Sequence, residues 1–217
     1  MIQSEIYDIE AYMQIGQDGY QFLKKIAPLT QENQWQQFSE DDGFKIHIRP
    51  DPETGLCLTR GEGFLPYTID EIFAIIEDIP LRPKYDGICE SGQIIRRFSD
   101  ELMLFYQKFK SMFFVISSRD FVVISRKIVE GDFTYAIGKS LEHPNHPPVK
   151  GVVRGDLKIG GWILEKREGG TFCIFVTWAD PKGMLPKKAV NIVAGAQGKV
   201  VQQIKLLLDE RKKNVNK

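Results

Sequence analysis

The sequence predicts an α+β fold, a long antiparallel sheet with helices at intervals along the chain. Three observations predict it. An amphipathic helical stretch opens the chain, a run of alternating segments fills its middle, and a broad apolar helical stripe closes it. Strands grouped apart from helices mark an α+β design, whereas alternating α/β folds intersperse them. With 217 residues, the chain is expected to form one domain over 1–217, with a core over about 9–208 and a polar tail at 211–217.

The elements follow in order. Ile9, Met13, Gly16, Tyr20, Leu23 and Ala27 recur at steps of three and four, which predicts a helix that Pro28 ends. Phe44, Ile46 and Ile48 alternate, which predicts a half-buried strand and puts His47 outward and exposed. Asp51 to Gly55 reads as a turn and Leu56 to Phe64 as the returning strand. Thr68 and Glu71 have the spacing of a capping box. The helix behind it runs through Ile72, Phe73, Ile75, Ile76 and Ile79, until Pro80 and Pro83 break it. Strands are then predicted over 93–98, 102–109, 121–129, 134–141, 152–159 with 162–166, and 171–178. In the last, Phe172, Ile174, Val176 and Trp178 share a face.

After Pro186 the pattern predicts one long helix. Val190, Val193, Gln197, Val201, Ile204 and Leu208 form its stripe, widened by Ile192, Ala196 and Val200. Gly195 and Gly198 lie inside it, each costing about 1 kcal/mol against alanine. They predict close backbone packing or a helix that must loosen. With the helices on one side, a strongly twisted sheet would curl around this last helix. The concave space between them would be a solid core or a cavity.

Charge and composition exclude some functions. The 29 basic and 29 acidic residues balance, against the basic excess of a dedicated nucleic-acid binder. Cys57, Cys89 and Cys173 are widely spaced and odd in number, so they predict reduced thiols, with no disulfide framework or metal motif. Met1 to Asp8 has no apolar run, and no stretch approaches the ~20 apolar residues that span a bilayer. A soluble cytoplasmic protein is expected, a monomer, touching membranes only transiently.

Three stretches carry a family resemblance. They are Leu81-Arg-Pro-Lys-Tyr-Asp86 after the capped helix, Ser117-Ser-Arg-Asp-Phe-Val122 after an aromatic-rich loop, and Gly151-Val-Val-Arg-Gly155 followed by Gly161-Trp162 and Asp180 to Pro186. In this order the chain resembles the START (StAR-related lipid-transfer) family over roughly 9–208. The resemblance implies a helix-grip fold, a curved nine-stranded sheet around the C-terminal helix with a hydrophobic tunnel for one lipid. Lys110 to Ile116, with Met112, Phe113 and Phe114, resembles the family's gate, and this loop and the C-terminal helix would together form the lid. A carrier needs such a tunnel on physical grounds too, because each buried methylene contributes about 0.8 kcal/mol.

The resemblance also implies ligand contacts. Arg82 and Asp86 match the pair that meets the phosphate in phosphatidylcholine-binding relatives, where a guanidinium suits phosphate oxygens. The competing reading is a surface ion pair one turn apart. Arg119, Asp120 and Arg154 read as structural anchors. The buried acid and arginine of sterol-binding relatives fall near Tyr106 and on Ser125, so that pair is not reproduced. The choline-cage positions fall on Lys108, Phe121 and Lys158, of which only Phe121 is aromatic. The lysines favour an anionic head group. Trp162, Val193 and Gln197 complete the expected lining. Phe105, Phe109 and Trp178 read equally as lining or as ordinary core. A phospholipid is therefore preferred to a sterol.

No catalytic motif is present, so the expectation is a carrier and no enzyme. No cofactor is implied. His143 and His146 lie in a proline-rich loop with too few companions for a metal. The alternatives are an enzyme, such as a thioester hydrolase, using the same cavity, or a partner-binding module whose cavity is collapsed.

Overall fold

The computed structural model describes residues 7–111, 117–183 and 187–215, without the side chains of 187–191 and 215. Helix α1 spans Ile9–Ile26. The Asp8 carboxylate accepts from the Ala11 amide at its start, and Lys24 and Lys25 complement the helix dipole at its end. Side chains close its C-terminal carbonyls: Trp35 Nε1 donates to Ile26 O at 2.7 Å and Arg60 Nε to Ala27 O at 2.9 Å.

Ten strands follow among the described residues. They are β1 (Gln36–Asp41), β2 (Phe44–Pro50), β3 (Cys57–Leu65), β4 (Cys89–Arg97), β5 (Leu102–Phe109), β6 (Arg119–Glu130), β7 (Phe133–Ser140), β8 (Val153–Arg154), β9 (Asp156–Arg167) and β10 (Gly170–Asp180). Nine of them lie side by side in the order β1-β2-β3-β10-β9-β7-β6-β5-β4, and the two-residue β8 pairs with β6. Apart from β8, neighbouring strands run antiparallel. Strand β1 escapes the sequence pattern because all six of its residues are exposed, so it carries no apolar alternation.

Between β3 and β4 lie α2 (Ile69–Glu77) and a 3-10 helix, Ile79–Lys84. The capping box is present: Thr68 Oγ1 accepts from the Glu71 amide at 3.2 Å, and Glu71 accepts from the Thr68 amide at 2.8 Å. Ile72, Phe73, Ile75 and Ile76 are its buried face. The prolines end α2, and the chain continues as the tighter helix that carries Arg82.

The C-terminal stripe forms two helices where the sequence predicts one: α3 (Lys187–Gly198) and α4 (Val200–Val215). The break sits where the backbone meets the sheet. A Cβ on Gly61 of β3 would lie 2.1 Å from the Gly198 carbonyl oxygen, and a Cβ on Gly198 would lie 2.4 Å from Ile46. Only glycines allow that approach.

Helices cover both faces of the sheet, against the expectation of one. Leu23 and Ile26 of α1 pack with Tyr135, Ile137, Ile159, Ile163 and Val176 on one face. Ile174 and Trp178 join them there. The stripe Phe172 to Trp178 thus looks away from the enclosed space. On the other face, Phe73, Trp162, Phe175, Val200, Val201 and Ile204 form the core beneath α2 and α4. His47 is also corrected. It is buried, 6% exposed, because Arg60 and Glu62 of β3 lie beside it on the covered outer face.

Candidate functional site

Alternation along the strands decides which side chains face inward. On β5, Met103, Phe105, Gln107 and Phe109 point to the concave face; on β6, Phe121, Ser125 and Lys127 do. With Ala136 and Gly138 of β7, Leu157, Gly160 and Trp162 of β9, and Phe175, Thr177 and Ala179 of β10, they enclose a cavity of about 190 Å³. Phe73, Ile76 and Ile79 close it from α2 and the 3-10 helix, and Val193, Ala194 and Gln197 from α3. The space holds on the order of ten waters. Phe105, Phe109, Phe121, Trp162 and Phe175 dominate a wall that is mostly apolar.

One polar network interrupts the apolar lining. Arg82 Nε donates to Asp86 Oδ2 at 3.0 Å, and Arg82 Nη2 approaches Gln197 Oε1 at 3.5 Å. Gln197 Nε2 donates to both Asp86 oxygens, at 3.2 and 3.0 Å, and the Ile88 amide donates to Oδ1 at 3.3 Å. Asp86 is fully buried and Arg82 nearly so, which makes this no surface pair. Burial is the largest single influence and opposes the Arg82 charge, but Asp86, Tyr85 and Cys89 together outweigh it and raise the pKa above the ordinary arginine value. The guanidinium also lies 5.8 Å from the Phe175 ring centre and 6.0 Å from that of Phe109. The network ties the 3-10 helix to α3 at the cavity wall.

The ladder sorts the other sequence-derived candidates. Phe121, Trp162, Val193 and Gln197 line the cavity with Arg82, and Asp86 stands behind Arg82. Tyr106, Lys108 and Lys158 are not among the lining residues. Tyr106 sits between the inward Phe105 and Gln107, so it points out. There it packs near Leu104, Val122 and Ile124, and burial, followed by Asp120, pushes its hydroxyl up to about 12. Lys108 is paired with Glu90 at 2.7 Å, and Lys158 with Asp156. The period of two explains the error, since a shift of one residue moves a side chain to the other face. Met112, Phe113 and Phe114 lie outside the described residues.

Gln107 is the residue that the sequence reading missed. It is 3% exposed, it lines the cavity, and its Nε2 has no hydrogen-bond partner among the described residues. Strand alternation could have found it, since Gln107 shares its face with Phe105 and Phe109.

The remaining polar groups are structural or chemically quiet. Arg119 donates to Ser117 O, to Pro181 O at 3.3 Å and to Lys182 O at 3.3 Å, which holds two loops at one end of the cavity. Arg154 grips Asp120 with two bonds, at 2.8 and 3.1 Å. Burial pushes the Cys89 thiol up to about 11 and Cys173 up to about 12, which leaves both protonated at neutral pH. His143 and His146 lie ring to ring at 5.3 Å. Among the described residues, no group of three or more His, Cys, Asp or Glu side chains could hold a metal, and no helix is long and apolar enough to cross a membrane.

This arrangement of sheet and C-terminal helices has known counterparts. A family model described as START domain matches residues 20–206. The chain belongs to the START family. Mouse StAR-related lipid transfer protein 5 is 32% identical over 165 residues, 72% of this START chain and 77% of that protein. The solved structure of human StAR-related lipid transfer protein 5 superposes with a TM-score of 0.84 at 23% identity, over 94% of this chain and 99% of that one. Human STARD10 superposes with a TM-score of 0.74 at 20% identity, over 91% and 82%. At these identities the superpositions establish the START fold, including the helix-grip arrangement of sheet and C-terminal helix.

Proposed function

We propose that the protein takes one lipid molecule into this cavity, which must widen beyond about 190 Å³ to enclose it, and carries it between membranes. The observation that carries the reading is the apolar cavity on the concave face, with the Arg82–Asp86–Gln197 network set in its wall. The names of its relatives, which are lipid transfer proteins, point the same way. An apolar pocket with a few fixed polar groups is the general form of a small-molecule site.

A phospholipid is the guest we favour. Asp86 and Gln197 fix the Arg82 guanidinium by Nε and Nη2, and its Nη1, with no hydrogen bond among the described residues, is the donor we assign to a phosphate oxygen. The preference for an anionic head group loses Lys108 and Lys158, which face outward. The test is to incubate the purified protein with liposomes, remove them, and weigh the native complex. An Ala136→Trp variant, which fills the floor beside Trp162, should stay folded and retain no lipid. Equal retention by both forms would place the lipid elsewhere.

A further inference from the structure

The cavity reaches a second end, away from Arg119 and Pro181. Along the β5–β6 ladder, Phe109 pairs with Arg119 at one end and Leu102 with Arg126 at the other. These ends lie about 23 Å apart at the usual rise per strand residue. At the far end the wall changes character. Glu77, Arg97, Asp100, Glu101 and Lys127 all line the cavity there. The Glu77 and Arg97 side chains keep 35% and 38% of their surface exposed, and Asp100 and Glu101 are exposed residues. A residue that both lines a cavity and meets solvent marks a place where the two communicate.

We infer that the cavity has an opening here, between the end of α2 and the turn joining β4 to β5, and that it takes the chain terminus of a long amphiphile. The inference rests on the lipid-binding reading above. A hydrocarbon end shut in against five charged side chains would strip them of water without replacing it. The rim is mixed in sign, so it selects neither anions nor cations; it keeps the end wet. Two contacts bridge α2 to the sheet across it. Glu77 meets Arg97 at 3.1 Å, and the Lys127 ammonium lies 4.2 Å from the Phe73 ring centre. Both are side-chain contacts: Glu77 and Arg97 are partly exposed, and the half-buried Lys127 can swing off the Phe73 ring without moving that ring out of the core. A group at the far end of a chain therefore meets water, while the same group placed mid-chain is shut in against Phe105, Trp162 and Phe175.

Two stearic acid probes test this, one with a nitrobenzoxadiazole fluorophore at the chain terminus and one with it mid-chain. Iodide in the buffer should quench the bound terminal fluorophore and spare the bound mid-chain one. In Glu77→Leu/Arg97→Leu, with the rim packed by apolar side chains, terminal-probe affinity should fall about tenfold while mid-chain affinity holds. Equal protection of both bound probes in the unmodified protein would overturn the opening, whether or not the variant folds. Quenching unaffected in a folded variant would also overturn it, since the terminus would then emerge elsewhere. If neither probe binds while liposome lipid is retained, long-chain acids are not guests and the opening as stated falls. If nothing is retained at all, the lipid reading itself falls.

Discussion

Arg82 and Asp86 stand one turn apart in the sequence, and their burial decides what that spacing means. Arginine cannot shed its proton to escape burial. Removing Asp86 strands a buried cation; removing Arg82 leaves Asp86 with donors from Gln197 and the Ile88 amide. Asp86→Ala should therefore cost about 3 kcal/mol and Arg82→Leu distinctly less, read from urea midpoints at unchanged slope. His47 gives a second residue-scale prediction. Burial, then Arg60, lowers its pKa from the ordinary 6.5, so the folded protein resists protonation that the unfolded chain accepts. Its contribution to stability is complete above that value and is lost as the pH falls through it towards the lowered folded pKa. The slope should be at most about 1.4 kcal/mol per pH unit, and His47→Gln should flatten it in melts run on either side of pH 6.5. The sequence hid this residue because alternation separates two faces and says nothing about what covers the second. It hid Gln107 for a related reason: an alignment loose by one residue lands on Tyr106, which points the other way.

At the scale of elements, the two glycines of the last helix part company. Among the described residues a Cβ on Gly195 would meet only a Phe38 ring carbon, at 3.5 Å, so Gly195→Ala should stabilise by about 0.5–1 kcal/mol. Gly61→Ala puts a methyl against the Gly198 carbonyl and should destabilise by about 1–3 kcal/mol, with α3 displaced from the sheet. Urea unfolding of the two variants gives opposite signs if the close approach is real. The capping box, the proline stop after α2 and the long strands were all legible, because local chemistry dictates each of them. Strand β1 was not, since an all-polar edge strand has no period to read. Nor was the break between α3 and α4, which comes from a contact with β3 distant in sequence.

For the whole molecule, the sequence predicted an α+β sheet curled around its terminal helix and left open whether the space between was core or cavity. That choice depends on how far α3 and α4 stand from the strands, a distance that no periodicity encodes. The two helical layers divide the work. The α1 layer backs the sheet with a solid core, and the opposite layer leaves room among Phe105, Trp162 and Phe175. Native mass spectrometry after incubation with liposomes of a total lipid extract tests that room most directly. The account predicts a chain heavier by a single lipid, with Ala136→Trp at its bare mass. A wild-type chain that stays at its bare mass with every lipid offered would contradict it.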